Sequence, residues 1–216
     1  MRIRQFILII VTSLISLTAC IGQIYTIPYS QNGEEHFFIN GLTDFWNGPK
    51  TDSSKVRLWH DSVNLYFHFT IQDTSVTFIE SENERDMARC DRAEIFISKD
   101  TLLSTYYGAE MAPNGLLLDY EAHHYRKSDY GWDFDSLTFE HNITQNGYEI
   151  TGYISIGWLR KALLLQEDNT LIIGIFRGES HSLDPKDKMF WYSWVSPNSP
   201  RPDFHIPSAF TKVRLD

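Results

Sequence analysis

The sequence predicts an all-β protein: a two-sheet antiparallel β-sandwich with one short helix. Three observations carry that prediction. From Tyr25 to the C-terminus, short apolar or alternating runs follow one another, separated by Asn, Gly, Asp, Ser and Pro. The run Asn64–Ile71 alternates strictly, with Leu65, Phe67, Phe69 and Ile71 on one face and Asn64, Tyr66, His68 and Thr70 on the other. Asn146-Gly147, set between two strand-like segments, is the dipeptide of a tight hairpin.

Residues 1–19 stand outside the fold. Arg2 and Arg4 precede an apolar run from Phe6 to Leu17, shorter than the roughly 20 residues a spanning helix needs, and small residues follow. This is the architecture of an export signal. Leu17-Thr18-Ala19-Cys20 resembles the bacterial lipobox, which implies cleavage before Cys20 and lipid attachment to it. The expected organisation is a signal peptide over 1–19, a lipidated tether over 20–24 and one domain over 25–216. The expected location is the cell envelope, with the protein exported and held to a membrane, in the periplasm or at the cell surface.

The domain's elements follow in order. Val56–His60 pairs with the alternating run through Asp61-Ser62. Further strands are expected at 93–98, 105–112, 116–123, 136–142, 148–156, 171–176, 190–195 and 211–215. Gly157–Leu165 reads as a helical turn or two, with Trp158, Leu159, Ala162 and Leu163 as its apolar side. Asp73–Arg89 is long and polar for a hairpin loop. In the 190–195 strand, Phe190, Tyr192 and Trp194 share a face, either as core or as a stacking platform, just before Pro197, Pro200 and Pro202.

Charge and chemistry exclude several classes. The formal net charge is −9, and losing Arg2 and Arg4 makes the domain more acidic still, which argues against nucleic acid. With Cys20 acylated, Cys90 has no disulfide partner and reads as a small buried apolar residue. No Gly-x-Ser-x-Gly elbow or phosphate-binding glycine loop occurs. His123 and His124 face opposite ways on a strand. Asp119 and Glu121 share a face expected to be solvated, without the pattern of a glycosidase pair, so no enzyme is expected. Asp73, Glu80, Glu82, Glu84, Asp86 and Asp91 supply oxygen ligands suited to a structural Ca2+, in a spacing that matches no calcium loop. Glu94 and Phe96 share the face opposite Ala93, Ile95 and Ile97. A carboxylate beside a ring suits a sugar, whose C–H face stacks while its hydroxyls donate.

Several segments fall in a recognisable order: Ile39–Trp46, Val56–Asp73, Asp91–Ile97, Tyr106-Tyr107 with Pro113-Asn114-Gly115, Gly157-Trp158-Leu159, Gly174–Arg177, and Trp194 leading to Phe204–Phe210. Together they resemble the family 9 carbohydrate-binding modules and their stand-alone relatives in exported bacterial proteins, over nearly the whole domain. The resemblance implies a sandwich of the DOMON or jelly-roll kind that binds an oligo- or polysaccharide without catalysis, often beside structural calcium. Such a module serves polysaccharide recognition or breakdown. It further implies that Glu94 accepts sugar hydroxyls, that Trp194 stacks on the sugar and that Arg177 donates to hydroxyls or pairs with Glu94. Tyr107 and His205 complete the candidate set. Where sugar-clamping members carry a second tryptophan, three residues before the aspartate matched by Asp91, this chain has Ala88, so the clamp is either half missing or closed by another ring such as Tyr107 or Tyr130. Two alternatives share the fold: a haem-binding DOMON-type module drawing ligands from Met111, Met189, His68 and His205, and an adhesion or assembly module.

Overall fold

The structure, a computed structural model, describes residues 23–216; the signal segment and Cys20 lie outside them. The chain forms β1 (Ile24–Ile27), β2 (Phe37–Asn40), β3 (Thr43–Asp44), β4 (Lys50–Thr51), β5 (Lys55–His60), β6 (Asn64–Gln72), β7 (Arg92–Ser98) and β8 (Tyr106–Met111). It continues with β9 (Leu117–His123), β10 (Lys127–Asp129), β11 (Leu137–Thr144), β12 (Gly147–Ser155), α1 (Ile156–Lys161), β13 (Thr170–Ser180), β14 (Met189–Ser193) and β15 (Thr211–Leu215).

Two sheets result. The smaller runs β11-β12-β6-β5-β2, and the larger runs β10-β9-β8-β7-β13-β14-β3-β4. The long strand β13 forks one edge of the larger sheet. Its first half pairs with β15, which carries β1 in parallel, and its second half pairs with β14. The two-sheet antiparallel sandwich expected from the sequence is therefore present, with this parallel pair added.

The core between the sheets comes from the alternation seen in the sequence. Along β6, Leu65, Phe67, Phe69 and Ile71 are buried and the intervening residues half-buried. Ile95 and Ile97 of β7 meet them from the larger sheet, with Ile173 and Ile175 of β13. The β11–β12 hairpin turns at Gly147, whose φ is +146° and where a Cβ would sit 2.0 Å from the Ile71 carbonyl oxygen, so only glycine fits. Helix α1 starts with the Ser155 hydroxyl accepting the Trp158 N–H and buries Leu159. Leu163 departs from its expected apolar side. The chain leaves the helix there with φ +60°, and Leu163 is exposed while Leu164 and Leu165 are buried instead.

A second core lies on the outer face of the larger sheet. Strand β7 is buried on both faces. Its outward Phe96 joins Tyr106, Tyr120 and Phe176, and two loop segments cover them. The 73–91 loop contributes Met87 from a short 3-10 turn, Glu84–Arg89, together with Cys90. The proline-containing segment after β14 contributes Phe204, which stacks on Phe176 at 4.2 Å and 12°. Burying a ring of that size stabilises by about 2–3 kcal/mol. The prolines fix φ and lack an N–H, so the segment crosses the sheet as an extended cover rather than pairing with it. Phe190, Tyr192 and Trp194 lie on the opposite side, against the inter-sheet core.

Candidate functional site

The outer layer leaves a cleft open, a cavity of about 340 Å³ above β7 and β8. Its floor is ionic. Glu94 and Glu110 are directly opposed in the β7–β8 register, an arrangement that repels unless neutralised. Arg92, two residues before Glu94 on the same face, supplies the neutralising charge, its Nε lying 2.9 Å from Glu94 Oε1 and 2.7 Å from Glu110 Oε2. Tyr120 of β9 donates to Glu110 Oε1 at 2.9 Å. Glycine at 108 makes room for that tyrosine, since a Cβ there would meet its ring at 2.5 Å.

The walls are aromatic and polar. Trp191 of β14 stands over the Arg92 guanidinium at 5.0 Å, and the edge of its ring meets Phe204. Ala88 and Tyr130 line another side. At the rim, Arg126 from the β9–β10 turn pairs with Asp203 at 2.8 Å, tying the turn to the proline segment. His205 lies against Phe96 and forms a 2.8 Å hydrogen bond between its Nδ1 and the Tyr106 hydroxyl.

This environment displaces the titrating groups. Burial, followed by the neighbouring Glu110, pushes Glu94 up to about 8, although Arg92 pulls it back. Burial works against the Arg92 charge, but Glu110 and Glu94 outweigh it and hold the guanidinium above its ordinary range. Burial and then Arg126 push His205 down to about 4, so it is neutral at physiological pH.

Of the five carbohydrate-binding candidates, Glu94 and His205 meet in this cleft. The other three lie elsewhere. Trp194 packs on Tyr25 at 4.7 Å and Phe37 at 5.5 Å, turned toward the inter-sheet core. Arg177 is buried on the face of β13 opposite the cleft, bonded to Asp52 at 2.9 Å and Asp73 at 2.7 Å, and does not pair with Glu94. Tyr107 belongs to the inter-sheet core beside Trp132 and Trp158. Alternation along the extended chain accounts for all three, because each is an odd number of residues from a neighbour on the outer face of the larger sheet: Trp191, Phe176 and Tyr106 respectively. The sequence reading missed Arg92, Glu110, Trp191 and Arg126.

The remaining candidates are dispersed. Met111 is in the inter-sheet core, Met189 opens β14 and His68 lies on the smaller sheet beside Arg57, so with His205 they form no shared haem site. Asp119 is buried rather than solvated, accepting the Phe134 N–H at 2.7 Å. In the acidic loop, Asp73 is held by Arg177, while Asp91 accepts N–H groups from Ser180 and Thr77. Among the described residues no three His, Cys, Asp or Glu side chains gather as a metal-binding group.

A sandwich with a covered outer face and a polar, tryptophan-walled cleft has the form of a ligand-binding module. The chain belongs to the carbohydrate family 9 binding domain-like family, whose model matches residues 35–216. Three solved structures share the fold. A Bacteroides uniformis ATCC 8492 protein, provisionally described as carbohydrate-binding, is 14% identical with a TM-score of 0.69, covering 89% of this chain and 97% of that one. A family 9 carbohydrate-binding module from Caldicellulosiruptor kristjanssonii, in complex with glucose, is 14% identical with a TM-score of 0.53, covering 90% and 96%. The same organism's module in complex with cellotriose gives 16% identity and a TM-score of 0.54, covering 89% and 93%. No curated protein matches the chain.

Proposed function

We propose that this protein binds carbohydrate in the cleft over β7 and β8 without transforming it. The observation that carries the reading is the buried Arg92–Glu94–Glu110 network beneath Trp191. Sugars present hydroxyls that donate to carboxylates and accept from guanidinium, together with a C–H face that packs on indole. Family membership and the sugar complexes of the two Caldicellulosiruptor structures support the same reading. Glu94 and His205 act within the cleft, with Trp191 as the stacking ring. A glycan array probed with residues 21–216, followed by calorimetry on each hit with wild type and Trp191→Ala, tests it. Binding that ignores Trp191 places the sugar elsewhere.

The protein is further proposed to be an exported lipoprotein that presents this module at the cell envelope, in support of polysaccharide recognition or breakdown. The Leu17–Cys20 sequence supports the anchor. Expressed in a bacterium that processes lipoproteins, wild type should partition into detergent and Cys20→Ala should not; equal partitioning rejects the anchor. Purified protein should leave every bound glycan intact on prolonged incubation.

A further inference from the structure

We infer that the cleft selects a sugar bearing a positively charged amine, received by Glu94 and Glu110 on the floor. This rests on the carbohydrate reading above and narrows it to a ligand class.

The groups facing Glu94 are unevenly charged. From its own strand comes Arg92, from β8 Glu110, from β9 the Tyr120 hydroxyl and from β13 the uncharged Phe176. Above them, Arg126 is matched by Asp203, and His205 is neutral at physiological pH. One guanidinium therefore serves two buried carboxyl groups, which leaves one negative charge in excess whenever both are ionised. Glu94 is 1% exposed and accepts from Arg92 through Oε1, while among the described residues its Oε2 has no hydrogen-bond partner. An unpartnered acceptor on so buried a side chain, facing a cavity and uncompensated when ionised, calls for a donor that also brings a positive charge.

In the empty cleft a proton fills that role, consistent with burial and Glu110 pushing Glu94 up to about 8. A hydroxyl can donate to Glu94 but leaves the excess charge in place. An ammonium group donates and neutralises together, so its binding displaces the proton to solvent. The acidic chain, at −9, attracts the same ligands from a distance.

Three β-1,4-linked trimers separate the cases, because they differ only at C2: glucosamine with a free amine, N-acetylglucosamine with an acetamide, and glucose with a hydroxyl. The protein is used without residues 1–20; all the strands and the helix described above lie within 23–216. At about pH 6, below the Glu94 titration, calorimetry should show the amine trimer binding about tenfold or more tightly than the other two. Proton release should appear as a dependence of the heat on buffer ionisation enthalpy. Glu94→Gln should abolish both the preference and the proton release while its melting profile remains cooperative. Equal affinities, tighter binding of a neutral trimer, or a glycan array returning only uncharged glycans overturns the inference and leaves carbohydrate binding standing. An array with no hit, charged or neutral, overturns the carbohydrate reading itself.

Discussion

Trp191 and Trp194 stand three residues apart and serve opposite layers: Trp191 covers Arg92 at 5.0 Å in the outer cleft, and Trp194 packs 4.7 Å from Tyr25 beneath the sheet. An odd spacing on an extended chain turns side chains to opposite faces. Under the proposed function, two indoles that look interchangeable in sequence divide binding from stability.

Their alanine variants should separate accordingly. Trp191→Ala should weaken binding of an array-identified glycan by tenfold or more, on the order of 1–3 kcal/mol for a lost stacking contact, with little change in melting temperature. Trp194→Ala should lose about 2–4 kcal/mol of stability and leave affinity unchanged. Paired calorimetry and thermal melts give both quantities, and a reversed pattern would exchange the two roles.

Arg177 should matter to folding alone. It is 2% exposed and holds Asp52 and Asp73. Arg177→Met strands those carboxylates, and breaking a buried pair costs about 3–5 kcal/mol. Chemical denaturation should show that loss. Glycan affinity in the surviving native fraction should match wild type, and a selective loss of affinity would contradict its placement away from the cleft.

The pH dependence of stability has opposite signs at the two ends of the cleft. The folded-state pKa of Glu94 is raised from 4.5 to about 8, so its contribution is fully present below the unfolded value and is lost as pH rises through about 8. That of His205 is lowered from 6.5 to about 4, so its contribution is present above the unfolded value and is lost as pH falls through about 4. Relative to wild type, Glu94→Gln should flatten the alkaline limb of a melting-temperature profile, and His205→Gln the acid limb. Parallel profiles for wild type and a variant would refute the corresponding shift.

Cys90 is fully buried in the outer core, and burial pushes its thiol up. In protein lacking residues 1–20, a thiol reagent should label it only as fast as the outer layer opens, with the rate rising in denaturant. Immediate stoichiometric labelling of native protein would show that the cover over β7 is open.

The inter-sheet core was legible because alternation reports one buried face. β6, the Gly147 hairpin and the start of α1 follow from residue pattern and turn chemistry alone. Other elements left no such trace. β3 and β4 are two residues each, and the β1–β15 pair joins opposite ends of the chain, so local pattern cannot register them. The cleft was half legible. Glu94 stood out as a carboxylate in an apolar strand, but Arg92 and Glu110 acquire their roles only through cross-strand register. A signal was nonetheless present: Leu171–Phe176 carries no polar side chain on either face and Ala93–Ser98 puts Phe96 opposite its apolar face, which calls for a second covering layer and makes a charged residue such as Glu94 within it suspect. Trp194 was misplaced because its neighbourhood offers two tryptophans, Trp191 and Trp194, and only the sheet's orientation distinguishes them.

The parallel pairing of β1 with β15 has a mechanical consequence. Ile24 to Ile27 register with Lys212 to Leu215, and β15 is itself fastened to β13, the strand on which the larger sheet is organised. Tension entering through the residues before Ile24 and directed along the strand loads the whole ladder in shear, so its bonds must yield together instead of peeling one by one. With the proposed anchor and ligand in place, the module would take a pull on its cleft without unravelling from the end nearest the tether.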